Sequence, residues 1–495
     1  MSNTNRNNSN TMQALWVGIG NLASFAFTLI SSAILSRYLY KADYGTYKQV
    51  MYVYNTLLMV FTLGLPKAYS YFLPKNDIKY GNSIVSKINS MFFVLGLSFS
   101  LILFFGADII GIILNNNELP KAIRYFAIAP AFILPAMGIE GIMSVYRRTI
   151  INTLYIVATR LLMLLFVTLP VIVYKAEANV AVIGFSMSSI LSFIVALYVK
   201  KIPFRGIQGE KTSLSYKEIL RFSVPLAVAS FGGIAIKAAD QFFISRYYGS
   251  EIFADFANGA IELPFVGMVL GATATVLLPV FTKQISSDDK DGRSQIAALW
   301  SRATEKSAMI LYPLVTFCLV FATEIMVFLY GSQYEQSGVY FRIMLLVNFF
   351  TVAPYYPIII AYGKTDYYAK VHLLFAALIW IIDFIIVSII KNPCSIAYSS
   401  ISCHILKIVV MAIYISTITG CKIKQMIPFK RLLEMMLICV CVSIVTRVLV
   451  DMLHINNLLL YLLVSFGLFL PISIAICQCV KIDYFSIVKP LIKRK

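Results

Sequence analysis

Apolar runs of about twenty residues, long enough to cross a hydrocarbon layer as helices, recur along this chain with short polar breaks between them. The pattern predicts an all-α membrane protein of about fourteen spans. The first seven cover residues 12–39, 47–65, 83–113, 122–146, 151–174, 180–199 and 219–247. The rest cover 261–281, 298–328, 339–362, 367–390, 395–418, 432–453 and 458–480. The first is expected to be a spanning helix, not a cleaved leader. Its flank, Ser2 to Asn10, is Asn-rich with one Arg, and no small-residue cleavage site follows.

The chain also repeats itself. Ser36-Arg37-Tyr38-Leu39 closes segment one and Ser245-Arg246-Tyr247-Tyr248 closes segment seven, an offset of about 209. Gly106-Ala107-Asp108-Ile109-Ile110 matches Ala322-Thr323-Glu324-Ile325-Met326, and Tyr146-Arg147-Arg148-Thr149 matches Tyr362-Gly363-Lys364-Thr365, at about 216. Extra loop residues around Ser286 to Asp291 fit the difference. Two similar halves imply a cavity between them, the arrangement alternating-access transporters use. The expected organisation is a six-helix bundle over 1–200, a cytoplasmic linker over 201–217, a second bundle over 218–420, and two accessory helices with a basic tail over 421–495. Gly206, Gly209 and Ser213 mark the linker as flexible.

Composition agrees with a membrane chain: 59% hydrophobic and 13% charged residues, where a soluble domain carries about 25% charged. The net charge of +19 could suggest nucleic acid. Its placement argues otherwise. With the N-terminus inside, about 29 cations fall on inner segments and about 9 outside. Lys200, Lys201, Arg302, Lys306, Arg431, Lys481 and the tail from Lys489 to Lys495 are among the inner ones. This topology signal puts both termini in the cytoplasm.

Tyr47, Tyr52, Tyr54, Tyr355 and Tyr356 cluster near expected helix ends and read as an interfacial belt or as a platform for sugar rings. Prolines within spans (Pro130, Pro135, Pro225, Pro264, Pro279, Pro354, Pro357) read as kinks facing a cavity or a neighbouring helix. Cys439-x-Cys441 and Cys477-x-Cys479 lie in apolar helices, where residues two apart face different ways, so neither pair chelates a metal.

An ionised side chain at the centre of a span costs about 2.5–3.5 kcal/mol on insertion scales, so each one needs a reason. Arg160, Lys237 and Lys407 are candidate anion contacts; the alternative is a structural pair or a snorkelled end. Glu140, Asp240 and Asp383 are candidates for proton or sodium coupling, or neutralise a nearby cation. Lys237 and Asp240, three apart, are able to pair. Arg37 and Arg246 hold equivalent places. Capping of helix C-termini is the favoured account of both, with Arg37 kept as a candidate substrate contact. Arg447 and Glu434 read as snorkelled ends. Catalysis finds little support: Gly363-Lys364-Thr365 lacks the first glycine of a phosphate loop, and His372, His404 and His454 have no metal spacing. No cofactor is expected.

Ser36-Arg37-Tyr38-Leu39, Asp43-Tyr44-Gly45-Thr46-Tyr47 and Leu63-Gly64-Leu65-Pro66 resemble polysaccharide flippases of the Wzx type. Phe222-Ser223-Val224-Pro225-Leu226, Ala239-Asp240-Gln241-Phe242 and Leu329-Tyr330-Gly331-Ser332-Gln333-Tyr334 do so too. These belong to the multidrug/oligosaccharidyl-lipid/polysaccharide exporter superfamily, and the resemblance covers nearly the whole chain. It implies two six-helix bundles in a V around a central cavity. It also implies flipping of undecaprenyl-pyrophosphate-linked oligosaccharides across the bacterial inner membrane for capsule, O-antigen or exopolysaccharide synthesis. The expected partners are that lipid-linked substrate, membrane lipids and polymerase machinery. Rival readings are another lipid-linked sugar flippase, a drug/cation antiporter and a membrane glycan polymerase or ligase. The last would be expected to carry a large outer catalytic loop, and none is visible in this sequence.

Overall fold

The computed structural model describes residues 10–174, 177–285, 290–484 and Ser486. Arg6, the loop residues Ser286 to Asp289 and the tail cations from Lys489 onward lie outside the described residues. Every regular element among the described residues is helical. The reason is solvation: hydrocarbon offers the backbone no hydrogen bonds, and a helix satisfies its own.

The chain forms two compact units, residues 1–254 and 255–495. The first holds α1 (Asn10–Tyr38), α2 (Lys41–Phe61), α3 (Pro66–Phe72), α4 (Ile78–Leu114), α5 (Leu119–Phe126), α6 (Ala129–Ala136), α7 (Ile139–Val145), α8 (Thr149–Tyr174), α9 (Ala178–Lys201) and most of α10 (Tyr216–Gly259). The second holds α11 (Pro264–Ile285), α12 (Lys290–Val320), α13 (Ala322–Tyr330), α14 (Glu335–Leu345), α15 (Tyr355–Ala361), α16 (Thr365–Ile389), α17 (Cys394–Thr419), α18 (Ile423–Met426), α19 (Phe429–Asp451) and α20 (Leu458–Cys479).

Among the described residues eleven helices are long and apolar enough to cross a membrane, and up to thirteen if each of two bent pairs is one crossing. The bent pairs are 119–145, turned by 47°, and 216–259, turned by 44°. The expected span without a counterpart is the tenth, 339–362. There α14 ends at Leu345, a 3-10 turn follows over Leu346–Phe349, and helix resumes only at Tyr355. Pro354 and Pro357 sit at that restart, where a missing N–H costs nothing.

The other prolines divide similarly. Pro130 and Pro264 begin helices, while Pro135, Pro225 and Pro279 lie inside them. The break between α6 and α7 turns on Gly138 at φ +86°. A Cβ there would stand 2.2 Å from the Tyr69 ring, so both the backbone angle and the neighbour demand glycine. At Gly184 a Cβ would meet the Phe166 carbonyl at 2.0 Å, and α9 thereby packs directly on α8.

The stretch expected to be a flexible linker is strapped along α4. Lys79 Nζ pairs with Glu210 at 3.1 Å, and the Glu210 amide donates to the Lys79 carbonyl at 3.0 Å. The Thr212 amide donates to Ser83 Oγ at 3.1 Å, and Lys87 Nζ reaches the Leu214 carbonyl at 2.6 Å. Hydrogen bonds to α4 thus hold a chain whose composition alone suggests freedom.

Tyr47, Tyr52 and Tyr54 form neither a belt nor a sugar platform. All three are buried. Tyr54 packs against Phe99, Phe126 and Phe185, and the Tyr52 hydroxyl donates to the Ala238 carbonyl at 3.1 Å. In the second unit the buried Cys439 and Cys477 face each other across α19 and α20, while Cys441 and Cys479 are exposed.

Candidate functional site

Within the first unit, α8 carries Arg160 close to its midpoint. The side chain is half-buried, and its Nη1 lies 3.5 Å from Met163 Sδ. Among the described residues no carboxylate pairs with it. A guanidinium thus sits at mid-helix without a carboxylate counter-ion. Tyr54 and Tyr155 lie within its electrostatic reach.

Two further basic side chains of this unit, Lys48 and Lys200, lie in polar surroundings that hydrophobic patterning does not mark. Lys48, on α2, is half-buried, donates to Ser32 Oγ at 3.3 Å and lies over the Tyr44 ring. Lys200, counted above as an inner-loop charge, is 1% exposed. Its ammonium donates to Asn89 Oδ1 and the Pro135 carbonyl, both at 2.8 Å, and to Tyr69 Oη at 3.3 Å. Tyr69 in turn donates to Asn89 Oδ1 at 2.6 Å. Three ammonium donors meet three acceptors, which is complete satisfaction without an acid. Lys200 therefore anchors the break in the α5–α7 crossing. No pattern of hydrophobicity marks it, because it lies where a snorkelled end is expected.

Asp240 is buried on α10, while Lys237 three residues earlier is exposed. Glu140 is exposed in the first turn of α7, where a negative charge suits the helix dipole. Arg37 is exposed in the last turn of α1. Its counterpart Arg246 donates to the carbonyls of Ile112 (3.3 Å) and Ile113, capping the C-terminus of α4, not of its own helix. Beside it Ser245 accepts from the buried Gln49 at 2.7 Å; Gln49 and Thr46 both accept from Asn116.

Within the second unit Asp383 on α16 is fully buried and accepts a hydrogen bond from Ser399 of α17. Among the described residues its other oxygen has no hydrogen-bond donor. Lys407, two turns further along α17, is also buried. Arg447 does not snorkel. It binds Glu324 and donates to the Val320 carbonyl at 2.7 Å, at the junction of α12 and α13. In the first unit the repeat-equivalent acid, Asp108, binds Arg124 of the next helix. One acid position thus serves two different cations. Among the described residues no cluster of His, Cys, Asp or Glu has the makeup of a metal site.

Helices with broken crossings, internal repetition and isolated ionisable groups at membrane depth define a multi-pass protein of the transporter and flippase fold. The family follows from sequence: residues 34–338 match the polysaccharide biosynthesis protein family, and the chain belongs to it. Among solved structures it is similar to the lipid II flippase MurJ in an inward closed conformation. That match has 14% identity and a TM-score of 0.65, covering 94% of this chain and 99% of MurJ. It is also similar to an inward-facing multidrug resistance MATE transporter of the MOP superfamily, with 14% identity, a TM-score of 0.63, and coverage of 80% and 94%. A MOP superfamily transporter from Pyrococcus furiosus gives 15% identity, a TM-score of 0.57, and coverage of 82% and 94%. No curated protein matches the sequence.

Proposed function

We propose that the protein flips undecaprenyl-pyrophosphate-linked oligosaccharides across the bacterial cytoplasmic membrane, with both termini in the cytoplasm. Membership of the polysaccharide biosynthesis family and a fold like that of a lipid II flippase support this reading. The observation that carries it is Arg160. An unpaired guanidinium half-buried at mid-helix is costly unless it meets an anion or water, and a pyrophosphate supplies charge-assisted acceptors in the planar geometry guanidinium matches. Lys237, Lys407 and Arg37 are the further phosphate contacts of this scheme, and 1–200 and 218–420 are its two bundles. The physical task is to replace the hydration of phosphate and sugar during crossing while the polyprenyl tail stays in lipid.

Asp383 supports a coupled step. A fully buried carboxyl with a single hydrogen-bond donor is stable when protonated or when a cation such as Na+ replaces the missing partner. Asp240 and Glu140 are the other coupling groups. Polymerase machinery is the natural recipient of the flipped unit.

The test is delivery of lipid-linked repeat units to the outer leaflet, measured in cells whose own copy of the gene is deleted. Arg160→Gln at normal membrane abundance should reduce delivery at least tenfold, with partial recovery in Arg160→Lys. Full delivery by Arg160→Gln would refute the assignment. Efflux of a cationic dye, without glycan delivery, would favour the antiporter reading instead.

A further inference from the structure

In the second unit, α12, the start of α19 and the chain just beyond α20 form an open recess of about 130 Å³ lined by Arg302, Glu305, Lys306, Arg431, Lys481 and Asp483. Four cations face two acids. Arg431 is engaged: it pairs with Glu305 at 3.3 Å and donates to the Lys481 carbonyl at 3.1 Å. Among the described residues, Arg302, Lys306 and Lys481 have no carboxylate within ion-pair distance. The cavity therefore carries three unmatched positive charges against one unmatched negative one, Asp483.

The surface below it is apolar. Arg302 and Lys306 are four apart on α12, and Ile310, one turn deeper on the same face, is exposed. On the α20 side Val480, Ile476 and Ile472 repeat at helical spacing and are exposed as well. Arg431 opens α19 and Lys481 follows the end of α20, so these two charges lie at the ends of crossing helices, the level of a membrane–water boundary, while Arg302 and Lys306 join them from the middle of the longer α12. A cationic recess flanked by exposed aliphatic residues on α12 and on α20 matches a phosphate joined to acyl chains.

We infer that this recess binds the headgroup phosphate of an anionic membrane phospholipid, whose acyl chains lie along Ile310, Ile472 and Ile476. Arg302, Lys306 and Lys481 supply the charge, and the Arg431–Glu305 pair holds the wall between α12 and α19. The inference does not rest on the flippase reading; it concerns a resident lipid of the C-terminal helices. Basic pockets between spanning helices at one membrane face suit such headgroups, each cation near the surface adding about 1 kcal/mol, about fivefold in affinity. A free phosphate would use the same cations but gain nothing from the apolar stripe.

The full chain, purified in detergent, should be titrated with a fluorescent phosphatidylglycerol and then challenged with unlabelled phosphatidylglycerol, phosphatidylcholine and inorganic phosphate. Phosphatidylglycerol should displace the probe at least tenfold more effectively than phosphatidylcholine, and inorganic phosphate should displace it poorly. Arg302→Gln, Lys306→Gln and Lys481→Gln together should abolish the preference, whereas Arg302→Lys with Lys306→Arg should keep it. Equal displacement by the two lipids, efficient displacement by inorganic phosphate, or an intact preference in the triple variant would each overturn the inference. If the triple variant fails to fold, the competition on the unaltered protein decides alone.

Discussion

Lys200 Nζ donates to the Pro135 carbonyl at 2.8 Å, placing a buried amine donor at the last turn of α6. The arrangement joins two facts about a broken membrane helix. Carbonyls at its C-terminal end lack intrahelical donors, and a side-chain N–H supplied from another helix satisfies one of them. Gly138 then starts the next segment in a conformation only glycine adopts easily.

Lys200→Met should destabilise the protein by about 1–3 kcal/mol, because the Pro135 carbonyl is left buried without this donor. Thermal unfolding in detergent measures this. Lys201→Met, at an exposed neighbour, should stay within about 0.5 kcal/mol of the parent. Equal effects would show that Lys200 is an ordinary surface cation.

The Arg447–Glu324 pair ties α19 to the junction of α12 and α13. The side chains are 35% and 18% exposed, so solvent screening tempers the pair. A double-mutant cycle with Arg447→Gln and Glu324→Gln should give a coupling of about 1 kcal/mol. Simple additivity of the two losses would mean that the Val320 carbonyl contact, not the ion pair, holds α19 in place.

The strap over α4 should respond to acid. The hydrogen bond from Lys79 holds the Glu210 carboxyl below its usual range. A depressed carboxylate contributes stability above its unfolded pKa and loses it as pH falls through the lower folded value. Protection factors for hydrogen exchange at residues 207–214, which remove the intrinsic pH dependence of exchange, should therefore be unchanged from neutral pH down to about 5 and fall below about 4. Lys79→Gln should remove the acid-induced fall by freeing the strap at neutral pH. An acid response that persists in Lys79→Gln would assign it to another group.

Asp383→Asn keeps the shape of the site and the hydrogen bond with Ser399 while removing the ionisable proton. Folded yield should stay near the parental level, whereas the dependence of glycan delivery on pH or on sodium should flatten. An unchanged dependence would remove Asp383 from the coupled step.

Much of the helical plan was legible because the signal is redundant: a span spreads it over some twenty residues. Where a crossing breaks, the signal thins. The tenth expected span has an unbroken apolar look, yet Pro354 and the turn after Leu345 divide it. The tyrosines misled for a related reason. A tyrosine near a helix end suits an interface equally well as a core, and neighbours from α4, α5 and α9 decided for the core at Tyr54. Arg160 stood out in the sequence because it interrupts an apolar run. Lys200 and Lys48 did not, since each lies where a charge is unremarkable.

The order of residues by itself determined that this chain forms membrane-spanning helices and that charges such as Arg160 and Asp383 sit within spans. Those properties follow from local chemistry, because apolar length and single ionisable groups act wherever the helix goes. Which charges are matched was decided only in three dimensions. Lys200 found a carbonyl 65 residues away and Arg447 an acid 123 residues away. Partners across such separations are set by which helices pack together, and no local pattern encodes that choice.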